Sequence, residues 1–400
     1  MKKCFTFSEY FAGIGLVGLG LQDGWELAFA NDIDPKKREM FVNHFGEDDR
    51  YVLSDIYDLR VDSIPTTTLA TASFPCIDLS LAGNRMGLNG KHSGAFWGFR
   101  DILRQMGDRR PPLVLVENVL GWLSANGGQD FRESVKELNQ LGYVIDAFVL
   151  NAHHFTPQSR PRMFLVGAQG QEPLGEWEAL ASFRSRPEAL WVKRLLDAIW
   201  GNKDLQWMRL NLPMPPPVQR NVASILETLD DDDERWWTQA KTAHIYGQLS
   251  AAHRERVDRL RMGQRLSYAM AYKRVRDKQT RAEIRTDGLA GCLRTPVGGS
   301  SKQIVFAMGR GQFRVRWMTE REYARLQGAD DFTINVPYLQ ALYGFGDAVC
   351  VPAIRWISEH ALTPLAEKIT SNGKCEKPTH SHLPIEQTFV SPSELVFQGA

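Results

Sequence analysis

A cysteine, a carboxylate and two arginines stand in this chain where side chains of those types do chemistry. Cys76 follows Pro75 directly in "TASFPCIDLSLAG", at the end of a short apolar run and ahead of a loop of small residues. Two readings compete for it: a buried core thiol, since free cysteine is among the most buried residue types, or a nucleophile on a strand-end loop. Glu117 and Asn118 close another apolar run, "LVLVENV", where a carboxylate is costly unless it is paired or functional. Arg160 and Arg162 lie two apart in "QSRPR". In extended chain they project to one side, a spacing suited to an anion or a base carbonyl.

A second set of residues has the makings of a ligand cradle. Gly13, Gly15 and Gly18 of "FAGIGLVGLG" follow a strand and open a helix, so backbone N–H groups can approach a ligand at a helix N-terminus. The next strand ends in "NDID", which places Asp32 within reach of ribose hydroxyls. A third strand end, "SDIYD", puts Asp55 where an adenine amino group would donate. For either acid the alternative is a helix N-cap or a solvated loop position.

These residues need strands and helices to position them. Over the first 170 residues, apolar runs (CFTFSEYF, ELAFAND, TLATASF, PLVLVEN, YVIDAFVL, RMFLVGA) alternate with amphipathic stretches, several ending at glycine. That alternation predicts an α/β fold built on a doubly wound, mainly parallel sheet, with ligands bound beyond the C-terminal strand ends. From residue 171 the alternation fails. A second, smaller domain of irregular architecture is expected over 171–337, with a return segment over 338–365 and a disordered tail over 366–400. Thr319 and Glu322 in "MTEREYARLQG" predict a capping box at one helix start.

Composition excludes several classes. With 43% hydrophobic and 24% charged residues, and no apolar run near the roughly 18 residues of a membrane span, the chain reads as cytoplasmic and without a membrane partner. Its five cysteines (Cys4, Cys76, Cys292, Cys350, Cys375) are scattered and form no CxxC pair, which argues against a disulfide framework or a metal site. Charge is segregated: sixteen Lys/Arg against five Asp/Glu fall between Arg254 and Arg316, a local net of +11 in a chain of net +1. A polyanion-facing surface is one reading, and a solvated Arg-rich face is the other.

In their order, FAGIG, NDID, SDI, FPC, ENV, QSRPR, TEREYARLQG and YGFGDAV make the chain resemble the DNA cytosine-5 methyltransferases, most closely the bacterial modification enzymes, over about residues 5–168 and 316–360. The resemblance implies S-adenosylmethionine as methyl donor and C5 of cytosine in double-stranded DNA as acceptor, with a cognate restriction endonuclease as functional partner. It implies that Cys76 adds to C6 of a flipped-out base, that Glu117 holds N3 and the exocyclic amine, and that Arg162, with Arg160, binds the O2 side. Around the donor it places Phe11, Gly13, Ile14 and Gly15 of the turn, with Asp32, Ile33, Asp55 and Ile56 at the next two strand ends. Pro75 and Asp347 complete the set. The segment Ile77–Trp97 is expected to act as a lid. "LRTPVGGSSKQ" is the candidate DNA-reading loop, Arg294 and Lys302 flanking its glycines; a plain glycine turn between strands is the alternative.

Three positions depart from the family pattern: Ile77 where glutamine is usual, aliphatic Ile33 where a larger ring is common, and Asp347 where asparagine is usual. Two other activities fit the same motif order, an RNA (tRNA) cytosine-5 methyltransferase and a catalytically inactive donor- and DNA-binding subunit. The intact Cys76, Glu117 and Arg162 argue against the second.

Overall fold

The six apolar runs all become strands of one sheet, joined by a short seventh. In the computed structural model these are β1 (Phe5–Tyr10), β2 (Trp25–Asp32), β3 (Tyr51–Leu53), β4 (Leu69–Ala72), β5 (Leu113–Asn118), β6 (Tyr143–Asn151) and β7 (Pro161–Gln169). The structure describes residues 5–21, 24–75, 94–217, 221–276, 279–296 and 301–371. Cys76, most of the expected lid, the glycines of the expected reading loop and the tail beyond 371 lie outside them.

The strand order is β3-β2-β1-β4-β5-β7-β6. From β3 to β5 every pairing is parallel, while β7 runs antiparallel to both β5 and β6. Between β1 and β4 the order of connection reverses, and there the C-terminal strand ends open a crevice. The turn after β1, the FPC segment after β4 and the ENV segment after β5 all emerge at this edge. Because β7 is reversed, its first residues lie at that edge too: Glu117 pairs with Phe164 and Asn118 with Met163, which sets Arg162 beside the end of β5.

Both faces of the sheet are covered, which is why its strands read as near-continuous apolar runs. Leu113 and Leu115 of β5 point into one core with Phe7, Phe148 and Ile354. Val114 and Val116 point into the other with Phe99, Phe131 and Trp207. Glycine serves close approach on the first face: a Cβ on Gly20 would lie 2.6 Å from the Ile354 Cβ, so the helices Leu16–Leu21 and Val351–Ile357 touch there.

The stretch expected to be irregular is ordered. Helices span Gln239–Gly247 and Ala251–Arg261, and β8 (Ser267–Arg276), β9 (Gln279–Arg285), β10 (Ile304–Gly309) and β11 (Gln312–Trp317) form an antiparallel sheet of order β11-β10-β8-β9. Ile245, Val257, Ala271, Phe306, Met308 and Val315 give it a core of its own. Residues 171–217 stay with the first sheet, where Ile145 bridges to the fully buried Trp207.

The capping box forms as expected: Thr319 Oγ1 accepts from Glu322 N, and Glu322 Oε2 accepts from Thr319 N at 2.9 Å. Glu322 also holds the buried Arg316 at 2.8 Å, so this member of the basic block is an internal ion pair and not a surface cation. The helix Thr363–Ser371 buries Leu365, Ala366 and Ile369, so order extends past 366 to 371, where a tail was expected.

Candidate active site

The turn after β1 is shaped by backbone that few residues tolerate. Phe11 has φ 57°, Gly13 56° and Gly15 80°. A non-glycine residue held there costs on the order of 1–3 kcal/mol and persists only where its surroundings enforce it. Asp32 is one enforcer: its two carboxylate oxygens accept from Gly13 N at 2.8 Å and Asp34 N at 2.9 Å. Tyr51 is another, donating its hydroxyl to Gly13 O at 2.8 Å. Asp32 thus builds the turn, a role the sequence reading did not give it, and each oxygen keeps a lone pair for a ligand. Below the turn Glu9 accepts from Gly18 N at 3.1 Å, and burial pushes its carboxyl up to about 8.

The neighbouring strand ends offer apolar surface beside polar groups. Ile33 is 63% exposed, and Leu53 and Tyr57 are exposed as well. Asp55 caps a short helical turn by accepting from Tyr57 N at 3.1 Å, so the N-cap reading holds for one of its oxygens. Ile56 is buried against Gly98. Ile14 packs on Gly344, and Asp347, at the end of the helix Tyr338–Asp347, pairs with Lys37 at 2.9 Å.

On the other side of the crevice Glu117, nearly buried at the end of β5, meets Arg162 Nε at 2.9 Å. Asn118 donates from Nδ2 to Phe74 O at 3.1 Å and accepts from Val119 N at 2.8 Å. That pair of bonds ties the FPC segment to the ENV segment. Pro75, the last described residue before Cys76, is exposed at the crevice edge.

Arg160 lines the same small cavity as Glu117 and Arg162, but its guanidinium is engaged elsewhere. It is buried, and its guanidinium donates to Leu293 O at 2.9 Å, Ala348 O at 2.6 Å and Gly346 O at 3.4 Å. It is a strut that binds the loop before β7 to two distant segments. Gln158, also buried, does similar work, donating to Leu326 O at 2.9 Å and accepting from Leu293 N at 3.0 Å.

A family profile described as C-5 cytosine-specific DNA methylase matches residues 5–362. The chain belongs to that family. It is 26% identical over 374 residues to the Type II methyltransferase M.HaeII of Haemophilus aegyptius, covering 91% of this chain and 95% of the relative. With M.DsaV of Dactylococcopsis salina it shares 27% over 366 residues, covering 90% and 87%. Among solved structures, the S. pombe Dnmt2 methyltransferase superposes with a TM-score of 0.57 at 16% identity, over 91% of this chain and 99% of that one. This last likeness is one of fold.

In this DNA methylase the strut leads to a residue the motifs do not reveal. Cys292 lies 3.5 Å from Arg160 Nη1 and 3.6 Å from Arg162 Nη2. Burial pushes its thiol up, but Arg162 and Arg160 outweigh that and hold it at about 7. No local spacing announces it, because its partners are 130 residues away in sequence. The linkage has a definite sign. A depressed folded pKa adds stability that is full above the unfolded thiol value and fades as pH falls through about 7. Urea unfolding at pH 7 and pH 9 is therefore expected to show the wild type gaining on the order of 2 kcal/mol over Cys292→Ala. Equal pH dependence in the two proteins would remove the thiolate from the arginine cluster.

The two candidate DNA contacts differ in setting. Arg294 is exposed, and its backbone passes directly over Gly346, where a Cβ would lie 2.7 Å away. Lys302 is held over the rings of Trp317 and Tyr338 at 5.5 and 5.3 Å. Among the described residues no group of three or more His, Cys, Asp or Glu is placed to hold a metal ion, and no helix is long and apolar enough to cross a membrane.

Proposed function

We propose that this methylase transfers a methyl group from S-adenosylmethionine to C5 of cytosine within one duplex sequence, through a covalent adduct of Cys76. The observation that carries the reading is the Glu117–Arg162 pair at the end of β5, tied through Asn118 to the segment that leads into Cys76. An acid and a guanidinium side by side match the N3/amine edge and the O2 edge of one cytosine.

Bound S-adenosylmethionine supplies an electrophilic methyl group on sulfonium. The residues fit such a donor: a Cβ at Gly13 would come into contact with the Lys37 Cδ at 3.8 Å and Phe11 O at 4.0 Å, so glycine leaves the backbone there bare for a ligand, and Ile33 leaves apolar surface exposed beside Asp32. Phe11, Gly13, Ile14, Gly15, Asp32, Ile33 and Asp55 would hold it, with Ile56 as wall and Pro75 and Asp347 at the rim.

The protein's own part begins with extruding the base, since C6 is out of reach inside the stack. Cys76 Sγ adds to C6 and the displaced electron pair makes C5 nucleophilic. As the bond forms, Glu117 gives a proton to N3 and Arg162 faces O2, so the negative charge that builds on the ring is neutralised; N3 returns the proton to Glu117 when the adduct breaks down. After C5 has taken the methyl group it loses its proton, and the C6–S bond breaks to restore both the ring double bond and the thiolate.

Within residues 171–337, the second sheet and its helices, 239–317, would read the target, with Arg294 and Lys302 among the base- or phosphate-contacting groups. A cytoplasmic role as the modification half of a restriction–modification system follows from the same reading, with a cognate endonuclease as functional partner. Bisulfite sequencing of DNA from a methylation-free host that expresses the chain tests it. Protection of cytosine at one position of one sequence context is expected. No protected context would overturn the reading.

A further inference from the structure

Lys37 is an unusual presence at the glycine turn. It lies in the helix Pro35–Phe45, and its stem passes over Gly13 at a distance an ordinary side-chain contact would occupy. Its ammonium meets Asp347 at 2.9 Å, with Lys37 20% exposed and Asp347 47%. Packing, not loop placement, sets this pair against the turn. A Cβ on Gly344 would lie 2.6 Å from Met40 Sδ and 3.0 Å from Ile14 Cγ2, so the helix ending at Asp347 is pressed on both the turn and the helix of Lys37.

Half-exposed ion pairs add little stability, about 0–1 kcal/mol, so fold maintenance is a weak reason for this one. Asp32 and Asp34 also face the Lys37 ammonium. Both are engaged by backbone N–H groups: Asp32 by Gly13 and Asp34, Asp34 by Lys36. Asp347 is the acid that meets the ammonium in a direct ion pair. An ammonium carries three donors and a carboxylate about four acceptor sites, so one mutual contact leaves most of both unused.

Building on the reading that S-adenosylmethionine lies along the glycine turn, we propose that Lys37 and Asp347 together receive the amino-acid end of the donor, Lys37 taking its carboxylate and Asp347 its ammonium. The donor's zwitterion is then met by a zwitterion of opposite sense. The acid at 347, where the family pattern has asparagine, is balanced within this chain by Lys37.

Calorimetry on the full chain separates this from a simple strut between two helices. Three ligands are compared: S-adenosylmethionine, S-adenosylhomocysteine and 5′-methylthioadenosine, the last of which lacks the amino-acid end. Lys37→Met is expected to weaken the first two about tenfold or more and leave the third unchanged, with partial rescue by Lys37→Arg. Equal weakening of all three, or of none, would overturn the proposal, as would an effect confined to the sulfonium ligand. Asp55→Ala, at the adenosine end, serves as the companion variant and is expected to weaken all three. If it weakens none, the donor lies elsewhere and both readings fall. If it does while Lys37→Met shows no selectivity, only the receptor assignment falls.

Discussion

Cys76→Ser is expected to abolish methyl transfer while leaving fold and donor binding intact. The thiolate is the reacting form, and a free thiol of pKa about 8.5 already supplies a few per cent of it at neutral pH. A serine hydroxyl supplies almost none at neutral pH. Wild-type protein should also form a denaturant-resistant adduct with duplex DNA carrying 5-fluorocytosine at the target position, because fluorine at C5 blocks the elimination that frees the enzyme. The serine variant should form none. Melting temperature and calorimetric binding of S-adenosylmethionine act as controls. Turnover by the variant within tenfold of wild type would end the covalent mechanism.

The parts of the fold that were legible in the sequence are those whose signal is local. Strands β1, β2 and β4 to β7 are apolar on both faces because helices cover both faces, and they stand out as continuous runs. β3, only Tyr51–Leu53, is too short to carry a period. The second sheet is hidden for another reason. β8 follows its apolar run with Lys273 and Arg274, and β9 has only Ala282 and Ile284 apolar, set between Arg281, Glu283 and Arg285, so neither stands out as a continuous apolar strand.

Arg160 and Arg162 show the limit within the site itself. Spacing of two implies a shared side only while both residues belong to one extended segment. β7 begins at Pro161, so Arg162 sits in the strand opposite Leu150, whereas Arg160 precedes it and turns to the carbonyls of Leu293, Gly346 and Ala348. Those partners lie more than 130 residues downstream, and nothing in "QSRPR" points to them. Lys37 is hidden in the same way. In "DPKKREMF" it reads as one more solvated helix charge until Asp347 is brought up beside it.

The reversed strand β7 gives the second large expectation. By running antiparallel it carries Arg162 to the end of β5, where the guanidinium meets Glu117 at 2.9 Å in a nearly buried setting. Glu117→Gln keeps the shape and one acceptor but removes the proton that the acid would give to N3. The amide can still accept from the exocyclic amine and donate to N3, but it cannot transfer a proton. A group of this kind, used most as charge develops on the ring, is worth roughly 10²–10⁴ in rate, so kcat should fall by that range. Binding of the unreacted duplex should change little, because the contact strengthens only as Cys76 attacks. The same substitution also leaves Arg162 without its carboxylate, and removing one partner of a buried pair typically destabilises by about 3–5 kcal/mol. A structural role and a chemical one therefore both predict loss, and two measurements divide them. Rate of adduct formation on 5-fluorocytosine DNA, taken per folded molecule from the melting curve, should drop with kcat if Glu117 acts at the addition step. Arg162→Lys keeps a cation opposite Glu117 but loses the planar fork, so it should hold stability near wild type while still slowing adduct formation. If both variants formed adduct at the wild-type rate per folded molecule, the Glu117–Arg162 pair would be architecture alone.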